Sequence, residues 1–185
     1  MNREAITQQL SQYRAFDAEE EAFRSRILKL LQEEPECFHR HLRQGHITGS
    51  AWIVNPGGDQ VLLLHHRKLD KWLQPGGHAD GDENVRRVAE KEAREESGLS
   101  SIQILDQTIF DIDIHTIPER RGEAEHLHYD IRFLFTADPK EPLQQNNESK
   151  GLAWIAMEEV PSRTAFNRSI MRMIEKTGQY TFSSR

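Results

Sequence analysis

The segment from Val85 to Glu96 carries glutamates where a helix should carry hydrocarbon. Wound at about 100° per residue, Val85, Val88, Ala89 and Ala93 make one apolar stripe, and Glu92 and Glu96 fall inside it with Glu95 on its edge. Like charges four residues apart on an exposed helix cost only about 0.2–0.5 kcal/mol, so a solvated face would need no explanation. Carboxylates turned toward a core are different, because each costs several kcal/mol unless something offsets it. A hard divalent cation held by oxygen ligands is the natural offset.

The residues around this helix support that reading. Pro75-Gly76-Gly77 precedes it, and the two glycines allow positive φ and close backbone approach. A bare carbonyl at Gly76 can then point at a metal. Asp80-Gly81-Asp82 reads as a turn, with Asp82 capping the helix near Glu83. Gly98 is placed to end the helix as a left-handed C-cap. The expected element is loop, helix, loop, with carboxylates facing a diglycine.

From Gly77 to Leu99 the chain reads GHADGDENVRRVAEKEAREESGL. Gly77, Glu83, Glu92, Ala93, Glu95, Glu96, Gly98 and Leu99 match the Nudix box, which this segment resembles over 23 of the 185 residues. Lys91 stands where that family usually has arginine. The resemblance implies an α/β fold, an α/β/α sandwich around a mixed sheet. It also implies a Mg²⁺ or Mn²⁺ cofactor and hydrolysis of a nucleoside diphosphate linked to a further group. By the same resemblance the Gly76 carbonyl, Glu92, Glu95 and Glu96 form the metal set, and one glutamate orients the attacking water. Glu83 and Lys91 match the positions of a structural ion pair, although lysine lacks the planar fork of arginine. Some members place an extra ligand or base in a later loop; Glu148 ranks first for that role, with Glu123 and Glu125 as competitors.

Three residues are candidates for substrate contact. Arg67 follows His65-His66 at the end of a strand that, by resemblance, borders the cleft, and it suits a phosphate. Trp72 can stack on a base. His126, His128 and Asp130 alternate and share one strand face, with His115 near the end of the preceding strand. A zinc reading of these histidines needs a third or fourth well-placed ligand. His128 is therefore assigned to the substrate pocket.

The rest of the chain frames this segment. Residues 3–44 read as helix, with Ile6, Leu10 and Tyr13 followed by Phe16, Phe23, Ile27, Leu30 and Leu31 at helical spacing. Asp17 is the expected N-cap and Pro35 the expected stop. Residues 1–44 are taken as a helical N-terminal extension and 45–180 as the catalytic domain. Strands are expected at Ile47–Asn55, Gln60–His66, Ile102–Ile117, Leu127–Ala137 and Leu152–Ile155. A final helix from Arg163 to Lys176 presents Phe166, Ile170, Met173 and Ile174 on one face.

The net charge of −6 argues against a nucleic-acid polymer as partner and leaves a small nucleotide bound through metal ions. The single cysteine, Cys37, excludes an intrachain disulfide and suits a reducing, cytoplasmic compartment. The opening MNREAITQQLSQYR has no apolar signal core, and no apolar run is long enough for a membrane span. The helical extension is compatible with a homodimer. Two alternatives belong to other classes. One is a non-catalytic sensor of the same fold, against which the three retained helix glutamates argue. The other is an isopentenyl diphosphate isomerase, whose chemistry uses a core-domain cysteine, whereas Cys37 lies in the extension. The proline that often marks ADP-ribose substrates is absent, since Ile114 and His115 occupy those positions. The coenzyme A pattern is absent from Leu62–Trp72 as well.

Overall fold

The computed structural model describes residues 1–119 and 124–182. Glu123, named above beside Glu148, lies outside them. Two compact units share the chain: Met1–Ser50, Gly76–Ala89 and Thr108–Phe133 form the first, and Ala51–Pro75, Glu90–Gln107 and Leu134–Arg185 form the second.

The first unit opens with α1 (Arg3–Gln12) and α2 (Ala18–Glu33). The Asp17 side chain accepts from Glu20 N–H, as its position before an apolar-periodic run requires. Ile6, Leu10, Ile27, Leu30 and Leu31 are buried as the stripe read from sequence requires, but Phe16, placed on the same stripe, is 40 % exposed because it lies in the turn between the two helices. Glu20 is buried too, and its carboxylate accepts from Tyr13 Oη at 2.5 Å, Phe16 N–H at 2.6 Å and Ile112 N–H at 3.3 Å. The helical segment is thereby tied to β6 (Asp111–Ile117).

β1 (Gly45–Val54) begins in this unit and pairs antiparallel with β4 (Gly76–His78), setting Ser50 opposite Gly76 and Thr48 opposite His78. The diglycine is therefore part of a short strand rather than a loop. Gly76 is needed for close approach and not for positive φ, because a Cβ there would lie 2.2 Å from Ser50 Oγ and 2.9 Å from Ser50 Cα. β6 pairs antiparallel with β7 (His126–Thr136), placing Asp111 opposite Arg132, Asp113 opposite Asp130 and His115 opposite His128.

In the second unit β2 (Gln60–His66) pairs antiparallel with β3 (Lys71–Leu73) and with β8 (Ser149–Ala156). β5 (Gln103–Ile104) pairs with the end of β7. Trp52, Leu62, Leu63, Phe135 and Ile155 are buried here, and Trp52 Nε1 donates to Thr177 Oγ1 at 2.9 Å. The hydrogen-bonded strand order is β3-β2-β1-β7-β5, with β4 on β1, β6 on β7 and β8 on β2. Leu127 N–H donates to Gln44 O at 3.3 Å and Ala137 N–H to Val54 O at 3.1 Å, so β7 follows β1 in the same direction and the sheet is mixed.

α3 (Val85–Ser97) carries the glutamates. Gly98 closes it with φ +74° and an N–H bond to Arg94 O at 2.8 Å, as expected of a C-cap glycine. Its start differs from expectation. Asn84, not Asp82, caps the helix through Arg87 N–H at 3.2 Å, and Asp82 instead takes Asn84 N–H and the Arg87 guanidinium, each at 2.8 Å. The long strand expected from Ile102 to Ile117 is broken into β5 and β6. The final helix is also broken, into α4 (Val160–Arg163) and α5 (Arg168–Thr177), by Ala165 and Phe166 at φ +51° and +56°. Asn167 caps α5, and Phe166 is 71 % exposed instead of joining the apolar face.

The most deeply buried cation among the described residues is Arg132, 2 % exposed, which donates to Asp130 at 2.8 Å, Asp111 at 2.9 Å and Asp113 at 3.1 Å. Asp130 also accepts from Thr48 Oγ1 at 3.0 Å and Ser50 Oγ at 2.8 Å, linking β1 to β7. Replacing Arg132 with Met strips three buried carboxylates of this cation. We expect a loss of about 3–5 kcal/mol in urea unfolding; a change under about 1 kcal/mol would show that the network is not a stabilising centre.

Candidate active site

α3 exposes its three glutamates to different degrees, in the order that the helical wheel requires. Glu96 is 4 % exposed, Glu92 is half-buried, and Glu95 is exposed. Lys91 lies 3.7 Å from Glu92 and 3.6 Å from Glu95, but its side chain is itself mostly in solvent. Burial raises the Glu92 carboxyl above its ordinary value. Lys91 pulls the other way, and the charges of Glu95 and Glu148 push it further up.

Glu148 reaches this set from the loop before β8. Two elements hold that loop. On the α3 side, Gln144 N–H donates to Ser97 O at 2.8 Å and Asn146 Nδ2 to Glu95 O at 3.4 Å, while Glu148 N–H donates to Asn146 Oδ1 at 2.9 Å. On the β2 side, Arg67 N–H donates to Glu148 O at 2.8 Å, and its guanidinium donates from Nε to Asn147 O and from Nη2 to Ser149 O, both at 2.9 Å. The structure thus occupies two nitrogens of Arg67, expected to meet phosphate, with the backbone around Glu148. Glu125, the other competitor for the extra role, is exposed.

The fit to a cation follows from the donor set. Glu92, Glu95 and Glu148 are carboxylates whose charges act on one another, and Glu96 is buried one helical turn from Glu92. Oxygen donors of one sign around a partly desolvated carboxylate suit a hard divalent ion.

Trp72 stacks on His65 with ring centroids 5.2 Å apart and planes 12° from parallel. His65 Nε2 lies 3.0 Å from Asp70, which also holds Lys150 at 2.6 Å. Glu83 and Lys91, expected to pair, each pair elsewhere. Glu83 accepts from Arg3 N–H at 3.0 Å and lies 3.5 Å from the Arg3 guanidinium. Lys91 is drawn along its own helix to Glu95, its i+4 neighbour. Cys37 is buried, and burial pushes its thiol up to about 11, which keeps it from acting as a nucleophile at neutral pH.

In the first unit His128 belongs to a histidine cluster that sequence spacing did not reveal. Its ring centroid is 5.0 Å from those of His46 and His78, 5.2 Å from His126 and 5.4 Å from His115. Burial, then the neighbouring rings, holds His46 down at about 4 and His128 at about 2. Both are neutral at pH 7. Only His126, His128 and His115 could be grouped from strand alternation; His46 and His78 come from β1 and β4, which register alone brings beside them.

Comparison with known proteins agrees with this fold. The NUDIX domain family model matches residues 46–174, more than half of the chain. A putative 8-oxo-dGTP diphosphatase 3 of Mycobacterium tuberculosis is 25 % identical over 169 aligned residues, covering 75 % of each protein. Among solved structures, a C. elegans Ap4A hydrolase binary complex matches with TM-score 0.57 and 17 % identity, over 72 % of this chain and 95 % of that one. A NUDIX-family hydrolase from Clostridium perfringens matches with TM-score 0.52 and 23 % identity, over 74 % and 97 %. At these identities the solved structures speak for the fold, and the family match extends well beyond the glutamate helix on both sides. The chain belongs to the Nudix family of pyrophosphohydrolases.

Proposed function

We propose that this chain hydrolyses the pyrophosphate linkage of a nucleoside diphosphate derivative by attack of water at phosphorus, with Mg²⁺ as its cofactor. The observation that carries the reading is the inward placing of Glu92 and Glu96 on α3, with the Glu148 loop tied to that helix through Gln144 and Asn146. Glu92, Glu95 and Glu96 hold the cation, and the family resemblance adds the Gly76 carbonyl. Bound there, a divalent ion would supply positive charge against the phosphate oxygens and make water more acidic. Glu148 orients the attacking water and accepts its proton. The new bond joins water oxygen to phosphorus, and the bridging P–O bond breaks to release the second phosphate group. Trp72 offers an aromatic face to a base, and Lys91 tempers the repulsion between Glu92 and Glu95. The reading places the catalytic domain at 45–180, with residues 1–44 as a helical extension. No helix among the described residues is long and apolar enough to cross a membrane.

Arg67 is a positioning residue in this scheme, bracing the backbone on both sides of Glu148. The substrate class rests on the family and on the oxygen donor set. The names of the relatives extend it to oxidised nucleoside triphosphates and dinucleoside polyphosphates as first substrates to try.

Two measurements test the scheme. With purified protein, Mg²⁺ and a nucleotide panel, we expect phosphate or nucleotide release that EDTA abolishes. Glu96→Gln should leave the circular dichroism spectrum intact and cut turnover by about 10²–10³-fold; near-normal turnover would remove Glu96 from the metal set. If the wild-type protein binds nucleotides tightly and turns over none, the sensor reading replaces the enzyme. In the second, Arg67→Ala should lower kcat by up to about 10²-fold with KM little changed, as a displaced Glu148 predicts. A rise in KM with kcat preserved would return Arg67 to phosphate binding.

A further inference from the structure

The first unit contains a second constellation whose chemistry differs from that of the carboxylates. His46 stands in β1, His78 in β4 and His128 in β7, and one ring nitrogen from each lies within 4.8 Å of the other two. We propose that His46, His78 and His128 bind a zinc-class divalent ion, with His126, which stands outside that trio but next to His128, swinging in as the fourth nitrogen ligand. Imidazole nitrogen suits zinc and its neighbours in the first transition row, whereas carboxylate oxygen suits magnesium. The two sites would therefore sort ions by ligand type.

His46 is the observation that points to a ligand. It is 2 % exposed, and neither ring nitrogen has a hydrogen-bond partner among the described residues. The Leu42 carbonyl favours a protonated His46 ring but completes no hydrogen bond with it. Leaving such a group unsatisfied in a core costs about 1–3 kcal/mol. An ion removes that cost by taking a lone pair.

His126 supplies a second, independent feature. Its Nδ1 lies 2.9 Å from Ala124 O, and a carbonyl can only accept, so the proton is on Nδ1 and the lone pair is on Nε2. That Nε2 lies 3.3 Å from His128 Nε2. Two nitrogens at about 2.0–2.1 Å from a tetrahedral zinc are about 3.4 Å apart, so this pair already has ligand spacing. Closing the nitrogens of His46, His78 and His128 from 4.8 Å takes ring movements of about 1.5 Å at most. An outer layer is present too. His115 Nδ1 lies 3.2 Å from Asp113, which is held in turn by Arg132, and the His115 ring packs against His128. Asp113 thereby fixes the His115 ring, which limits how His128 can turn. The ion would clamp β1, β4 and β7 together.

The full chain, stripped with chelator and dialysed, is titrated with Co²⁺ and the visible absorption recorded. We expect one equivalent to give the intense d–d bands of a four-coordinate nitrogen site. Zn²⁺ should abolish them, and excess Mg²⁺ should not. Glu92→Gln/Glu96→Gln should retain the bands, as should His39→Ala/His41→Ala, which removes the exposed Glu36-His39-His41 trio. His46→Phe and His78→Asn should each weaken binding by about 100-fold or more. Bands that survive both of these changes, or that vanish in the His39/His41 or glutamate variants, overturn the site. Zinc K-edge absorption on the unmutated protein decides the matter if the variants misfold. Three or four nitrogens at about 2.0–2.1 Å support the proposal, and a six-oxygen shell, or no zinc retained, refutes it.

Discussion

Arg132 sets the terms for one face of this protein. A guanidinium taken out of water is tolerable only where carboxylates meet it with good geometry, and Asp111, Asp113 and Asp130 do so. Those three lie on β6 and β7, in the register that sets Asp113 against Asp130 and Asp111 against Arg132. Asp130 reaches on to Thr48 and Ser50 of β1. Slipping any of these strands by one residue would turn the charges to the other face and leave them unpaired. The same register then brings His115, His126 and His128 to one place and puts His78 opposite Thr48.

The α3 carboxylates follow the opposite logic. Arg132 is answered within the chain, by residues built around it. Glu92 is answered by Lys91, a side chain mostly in solvent, while Glu95 and Glu148 work against it. A like-charged group in a partly dry setting stores affinity for a cation from outside. Arg67 and Asn146 maintain that tension by pinning the loop that carries Glu148 to β2 and to α3. The histidine cluster raises the same question with a different donor, since His46 has two buried nitrogens and no hydrogen bond to either among the described residues. Oxygen and nitrogen donors prefer different ions, so each site can be probed without disturbing the other.

Legibility from sequence varied with the range of the interaction. Asp17, Gly98 and the burial order of Glu96, Glu92 and Glu95 were readable because each depends on neighbours within one or two helical turns. The bounds of β2 were readable from its apolar run and the turn before it. The break between β5 and β6 was not, because Ile109 and Phe110 are buried and keep the apolar pattern going across the gap. The last helix failed similarly at Ala165 and Phe166, where a left-handed pair that no glycine announces turns the chain. Glu83 was paired with Lys91 by family resemblance, yet Arg3, eighty residues away in sequence, holds it.

The sequence by itself determined the helix with inward carboxylates, its glycine stop and the family to which they belong. The first two rest on periodicity and spacing along one stretch of chain, and the third on the resemblance of Gly77–Leu99 to the Nudix box. Tertiary structure alone decided that Arg67 braces the Glu148 loop, that Arg132 gathers three aspartates, and that five histidines from four strands share one patch. Those pairings depend on strand register and chain crossing, which bring together residues from 19 to 80 positions apart, and no local pattern encodes which distant strand will lie alongside.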